Sequence, residues 1–218
     1  MARLLYVDSS VFTEESVSKE IAKNFLDVWT QEHPGGEVVH RDLGSNPVLP
    51  VSRSAVLAEF TPADNRTPEQ KEAAEKRYEL MNEVLEADAF LFAVPMYNWG
   101  VPGSFKDWVD QVLVTGKTFG LDPLPLVGRP ATAVLTYGGG YFPGAPNEGW
   151  DHVQPYLETL LVKALGLDVR FVVVQLTGVE RMGLVDLIPQ AKEFRAKGRQ
   201  DAAAHAKEIA ARFEEAAA

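Results

Sequence analysis

Short apolar runs rich in β-branched and aromatic residues alternate along this chain with longer stretches of helical period, and that alternation admits few folds. Five runs read as strands: Leu4 to Val7, Val38 to Arg41, Ala89 to Val94, Ala131 to Thr136 and Val169 to Gln175. Helical segments lie between them, which is the pattern of βαβ units and a parallel sheet. Ile21, Phe25, Val28 and Trp29 share one helical face, with Ser16 available as N-cap. Thr67-Pro68-Glu69-Gln70 reads as a capping box with proline at the first helical position, and Ala74, Tyr78, Met81 and Leu85 continue its stripe. Ser104 to Val114 carries Phe105, Trp108, Val109 and Val112 at helical spacing, and Asp151 to Leu165 follows the fourth strand in the same way. Gln190 to Ala217 predicts a last helix, with Gly198 as a candidate interruption. Ser45 to Arg66 is expected to be the one long irregular loop, a length that in compact domains points to function. With no linker or repeat in view, residues 1–218 are expected to form a single domain.

Composition removes whole classes of function. There is no cysteine, so disulfides, thiolate nucleophiles and iron–sulfur clusters are excluded. The net charge is −10 and the basic residues are scattered, so nucleic-acid binding lacks its main source of affinity. No apolar run is long enough to span a membrane and the N-terminus has no signal-like core, so a cytoplasmic protein is expected. The four histidines, His33, His40, His152 and His205, have no metal-ligand spacing, and no metal is expected.

A doubly wound sheet binds ligands outside the carboxyl ends of its strands, so those ends are the places to search. After the first strand comes Asp8-Ser9-Ser10-Val11-Phe12-Thr13-Glu14-Glu15-Ser16-Val17-Ser18, a hydroxyl-rich loop opening onto a helix N-terminus. Free N–H groups and the positive end of the helix dipole favour an anion there. With no Lys or Arg between Asp8 and Ser18, the loop suits a monophosphate held by neutral donors. After the third strand, Pro95-Met96-Tyr97-Asn98-Trp99 offers rings and one amide that both donates and accepts, matching the edge of a planar heterocycle. After the fourth, Gly138-Gly139-Gly140 lets backbone approach a flat ring closely. Taken singly, each of these is also what capping serines, core aromatics or a mobile loop look like.

Together the three loops resemble the flavodoxin-like FMN-dependent NADH-azoreductases, also described as NADH:quinone oxidoreductases. The likeness runs from the first strand to about Gln175 and includes Arg41-Asp42-Leu43 with Asn46-Pro47. It implies an α/β fold, a flavodoxin-like doubly wound five-stranded parallel sheet (order 2-1-3-4-5) with helices on both faces. It implies FMN phosphate contacts from Ser10, Ser16, Val17 and Ser18, and isoalloxazine contacts from Met96, Tyr97, Asn98 and Trp99. Further ring contacts are implied from Thr136, Tyr137, Gly138 and Gly139. Many relatives carry Ser-Arg or Ser-Lys where this chain has Thr136-Tyr137. The resemblance also implies a homodimer with the flavin near the interface, where Phe119 completes the partner's pocket. Trp99, Tyr141 and Phe142 are expected to form an aromatic slot for flat substrates.

Rival motifs fail on their own mechanics. Gly116-Lys117-Thr118 ends like a phosphate-binding loop, but Gln111 stands where its first glycine is required. His40-Arg41-Asp42-Leu43 resembles a kinase catalytic loop without any Gly-rich loop before it. Two functions remain. One is an enzyme passing two electrons from NADH or NADPH through FMN to quinones or azo compounds by a ping-pong mechanism. The other is a non-enzymatic flavodoxin-type electron carrier, or a flavin-binding regulatory module, using the same site.

Overall fold

The computed structural model describes residues 2–13 and 15–215. Glu14 of the first loop, and Ala216 and Ala217 of the expected last helix, lie outside the described residues. Five strands, β1 (Arg3–Asp8), β2 (Glu37–Asp42), β3 (Ala89–Pro95), β4 (Pro130–Thr136) and β5 (Asp168–Val174), pair in parallel. Their order is β2-β1-β3-β4-β5, as the resemblance implied. Every residue of β3 and β4 is buried, because both faces of the central sheet are covered.

Side chains alternate across the sheet and feed two separate cores. Leu5, Val7, Phe90, Phe92, Val94, Ala133 and Leu135 face α3 (Pro68–Glu86), α4 (Gly103–Val112) and α5 (Gln154–Leu157). Leu4, Tyr6, Leu91, Ala93, Val134, Val172 and Val174 face α1 (Val17–Glu32) and α6 (Ile188–Glu215). The starts of α1 and α3 follow the capping chemistry read from sequence. Ser16 accepts from the Lys19 N–H, and Thr67 and Gln70 form the reciprocal capping box.

Three elements depart from expectation. Ser45 to Arg66 is not wholly irregular: Ser52 caps a short helix, α2 (Arg53–Phe60). Only Ala55 and Ala58 of α2 are buried while Val56, Leu57 and Phe60 are exposed, so no apolar stripe announces it. The helix expected from Asp151 begins at Gln154, and beyond Leu157 it continues as π-helical Glu158–Ala164. Asp151 stays outside, its carboxylate accepting from the Val153 and Gln154 N–H groups. Gly198 does not interrupt α6. A Cβ there would overlap a Val174 methyl, so this glycine lets the helix lie directly on β5.

Candidate active site

The order 2-1-3-4-5 places the switch point between β1 and β3, and a cleft opens at that end of the sheet. It is lined by Ser10, Phe12, Ser16 and Val17 from the first loop, by Met96 and Tyr97 after β3, and by Thr136 and Gly138 after β4. Thr177, Gly178 and Arg181 close its far side.

The serine loop is an ordered cluster. Ser16 Oγ donates to Ser10 Oγ at 2.9 Å and lies 3.1 Å from Ser18 Oγ, all three buried. Ser18 therefore stands behind Ser16, while Ser10 and Ser16 face the cleft. Ser9 turns the other way, its hydroxyl and N–H both donating to the Ala93 carbonyl on β3. Beneath the loop, the fully buried Asp8 carboxylate accepts the Ser10 N–H at 3.0 Å, and Lys19 Nζ lies 2.9 Å from its other oxygen. Burial pushes Asp8 above the usual carboxylate range despite the Ser10 N–H and Lys19. Asp42 at the end of β2 behaves oppositely. Burial raises it, but the Ser45 backbone and hydroxyl, Lys19 and the Gly44 backbone outweigh that and hold it below the usual range.

Asp8, His40 and Asp42 bring three possible metal-ligand atoms within 4.8 Å of one another, a grouping no sequence spacing announces. Lys19 Nζ already occupies its edge, 2.9 Å from Asp8 and 3.6 Å from Asp42.

Asn98 and Trp99 both adopt positive φ, 48° and 65°, between reciprocal Tyr97–Gly100 backbone hydrogen bonds. Two such residues make a type I′ turn, and a tryptophan in that region is strained, a state found mostly at functional sites. The turn is tied to the serine loop by the Val11 N–H, which donates to Tyr97 Oη at 3.1 Å. It also lifts Trp99 out to 48% exposure, where its ring meets Trp150 edge-on at 6.0 Å between centroids. Asn98, Trp99, Gly100, Trp150 and His152 line a second hollow of about 430 Å³ beside the cleft.

Three expected residues, Tyr137, Tyr141 and Phe142, sit differently. The Tyr137 ring is buried, its hydroxyl donating to Asp151 Oδ2 at 2.9 Å, so its side chain belongs to the core and not to the cleft. Burial first, then the Asp151 charge, push that phenol far above its usual range. Tyr141 packs edge-on against Tyr137, and Phe142 packs on Phe194 of α6 at 5.7 Å. Neither lines the hollow beside Trp99; Trp150, which no spacing singled out, takes that place. Phe119 lies half-buried on the turn after α4 and does not line the cleft of its own chain.

At Gly138 a Cβ would meet nothing within 4 Å, so backbone there opens onto free space. Gly139 is tighter, its position closed by Asn147. Arg181 was also missed, because it comes from the turn after β5, far from the serine loop in sequence.

Comparison with known proteins decides the family. Residues 2–214 match a family model described as flavodoxin-like fold. An FMN-dependent NADH:quinone oxidoreductase from Streptomyces avermitilis is 41% identical over 98% of this chain and 99% of its own. The chain belongs to this oxidoreductase family. A relative of the same description from Frankia casuarinae is 44% identical over 81% of this chain and 85% of its own. Among solved structures, an azoreductase from Bacillus anthracis superposes with a TM-score of 0.82 over 95% of this chain and all of that one. At 24% identity it speaks for the fold. Among the described residues, no helix is long and apolar enough to cross a membrane.

Proposed function

We propose that this family member binds FMN in the cleft and uses NADH, or NADPH, to reduce quinones and azo compounds by two electrons, the two substrates visiting one face in turn. One observation carries the reading: the serine loop, the Asn98–Trp99 turn and Gly138 converge at the switch point of the sheet. The names of the relatives, FMN-dependent NADH:quinone oxidoreductases, support it.

The residues present fit the group. Ser10 and Ser16 hydroxyls, with the first N–H groups of α1 from Val17 and Ser18, would hold the phosphate. Met96, Tyr97, Asn98 and Trp99 would hold the ring edge and Thr136, Gly138 and Gly139 the opposite side, with open space at Gly138. FMN, when bound, supplies the redox chemistry, accepting two electrons from reduced nicotinamide and yielding them to an acceptor. The chain positions and excludes. Asn98, fixed by the I′ turn, orients the ring edge, and the Trp99–Trp150 pair offers flat substrates an apolar wall. We further propose a homodimer with Phe119 reaching the partner's cleft, a reading supported by its position outside its own cleft and by the uncovered Leu49, Val56 and Phe60.

The test is direct. Purified protein should show a flavin spectrum, or take up added FMN, and oxidise NADH with a soluble quinone and no partner protein. A chain that takes up no FMN would overturn the site, and flavin-loaded protein that does not turn over would overturn the activity.

A further inference from the structure

We propose that Arg181 and Phe12 form a clasp over the anion end of the cleft and that Arg181 supplies the one cation facing the FMN 5′-phosphate. This rests on the FMN reading above. Between Asp8 and Ser18 there is no Lys or Arg, and Lys19 at the start of α1 is committed to Asp8 and Asp42. A dianion on Ser10 and Ser16 would otherwise meet only neutral donors.

Tertiary structure brings the missing charge from the opposite side. The Arg181 guanidinium sits 5.3 Å from the centre of the Phe12 ring, and both residues line the cleft with Ser10 and Ser16. Phe12 is in turn fixed to the serine cluster, its N–H donating to Ser10 Oγ at 3.3 Å. Among the described residues Arg181 has no ion-pair partner, so its charge is uncommitted. The neighbouring carboxylates, Glu15 at the cleft wall and Glu180 beside Arg181 in sequence, are exposed, so solvent weakens their pull.

The turn that carries Arg181 is not free to wander. The Gly178 N–H donates to the Gly138 carbonyl at 3.0 Å, the Thr177 N–H to that of Tyr137 at 3.0 Å, and Val179 is buried. The turn is thus held against the glycine loop, and the guanidinium it carries lies over the Phe12 ring. A planar guanidinium can keep its face on the ring while its edge donates to phosphate oxygens.

The experiment compares FMN with riboflavin, which lacks the phosphate, on wild type, Arg181→Gln and Arg181→Lys. Flavin release from the loaded proteins and rebinding to the stripped ones are followed by flavin fluorescence at low and high salt. Arg181→Gln should weaken FMN roughly tenfold, as expected for one hydrogen bond to a charged group. Riboflavin affinity should not change, the salt dependence of FMN binding should flatten, and Arg181→Lys should restore part of the loss. An unchanged FMN-to-riboflavin ratio in Arg181→Gln overturns the proposal. So does a raised KM for NADH with that ratio intact, which would assign the cation to the reductant's phosphates. Equal affinity of the wild type for the two flavins would instead sink the phosphate reading of the serine loop, and the clasp with it. Because Arg181 is exposed, unfolding of the variants is not at issue, and matched thermal midpoints check this.

Discussion

At Gly44 a single hydrogen keeps two loops together. A Cβ there would overlap the Ser10 carbonyl oxygen, and that atom is main chain, which cannot rotate away. Gly44→Ala should therefore force the β2 loop off the serine loop, costing about 1–3 kcal/mol of stability as overpacking does and loosening FMN through displaced Ser10. Chemical denaturation with and without added FMN reads both effects; an unchanged midpoint would show that the loops part easily. A second residue reports on pH. His205 of α6 is buried beside Thr132 Oγ1 at 2.6 Å, and burial, followed by the Arg170 guanidinium, lowers it from 6.5 to about 4. Unfolded chain takes up a proton below about 6.5 that the folded chain refuses until about 4. Stability should fall as pH drops through that window, by about 3 kcal/mol in all, and level off below it. Urea midpoints at neutral pH and near pH 4 should show this loss, and His205→Gln should lack most of it.

At the scale of elements, α6 shows how a helix can be long despite poor local preference. Glycine inside a helix costs about 1 kcal/mol relative to alanine, and by that rule Gly198→Ala should stabilise. Packing reverses the sign. The added methyl would overlap Val174 on β5, so Gly198→Ala should destabilise by roughly 1–3 kcal/mol. Adding Val174→Ala makes room for the methyl, and the double variant should recover much of that loss relative to Val174→Ala alone. Denaturant midpoints of the four proteins decide it; additive effects would mean that α6 simply shifts outward. α6 is also held on α1 by Arg195 and Arg199, which both pair with Glu20, but such exposed pairs contribute little each.

For the whole molecule, the Tyr97–Gly100 turn lines the cleft through Tyr97 and the Trp99–Trp150 hollow through Asn98, and the proposed function has both substrates use that one face in turn. Initial rates against NADH at several fixed quinone concentrations should therefore give parallel double-reciprocal lines. Intersecting lines would mean that both substrates bind at once and that the hollow holds a second site.

The sequence by itself determined the sheet, because strand runs such as Phe90 to Val94 are apolar on both faces and alternate with helical segments that cover them, the pattern of a parallel sheet buried on both sides. It determined the starts of α1 and α3, because Ser16 and Thr67-Gln70 act on backbone N–H groups within one turn. It also located the serine loop and the Met96-Tyr97-Asn98-Trp99 turn, since both follow strands directly. Tertiary structure alone decided which aromatics face a ligand. Tyr137 and Trp150 are both aromatics beside a glycine, and sequence does not say which one faces a ligand, yet Asp151 draws the Tyr137 hydroxyl into the core while Trp150 stays 54% exposed beside Trp99. It alone brought Arg181 to Phe12, and it alone turned Gly198 from a break into a contact. The physical reason is range: caps and strand periodicity act over a few residues, whereas side-chain direction in loops is set by whatever distant backbone packs against them.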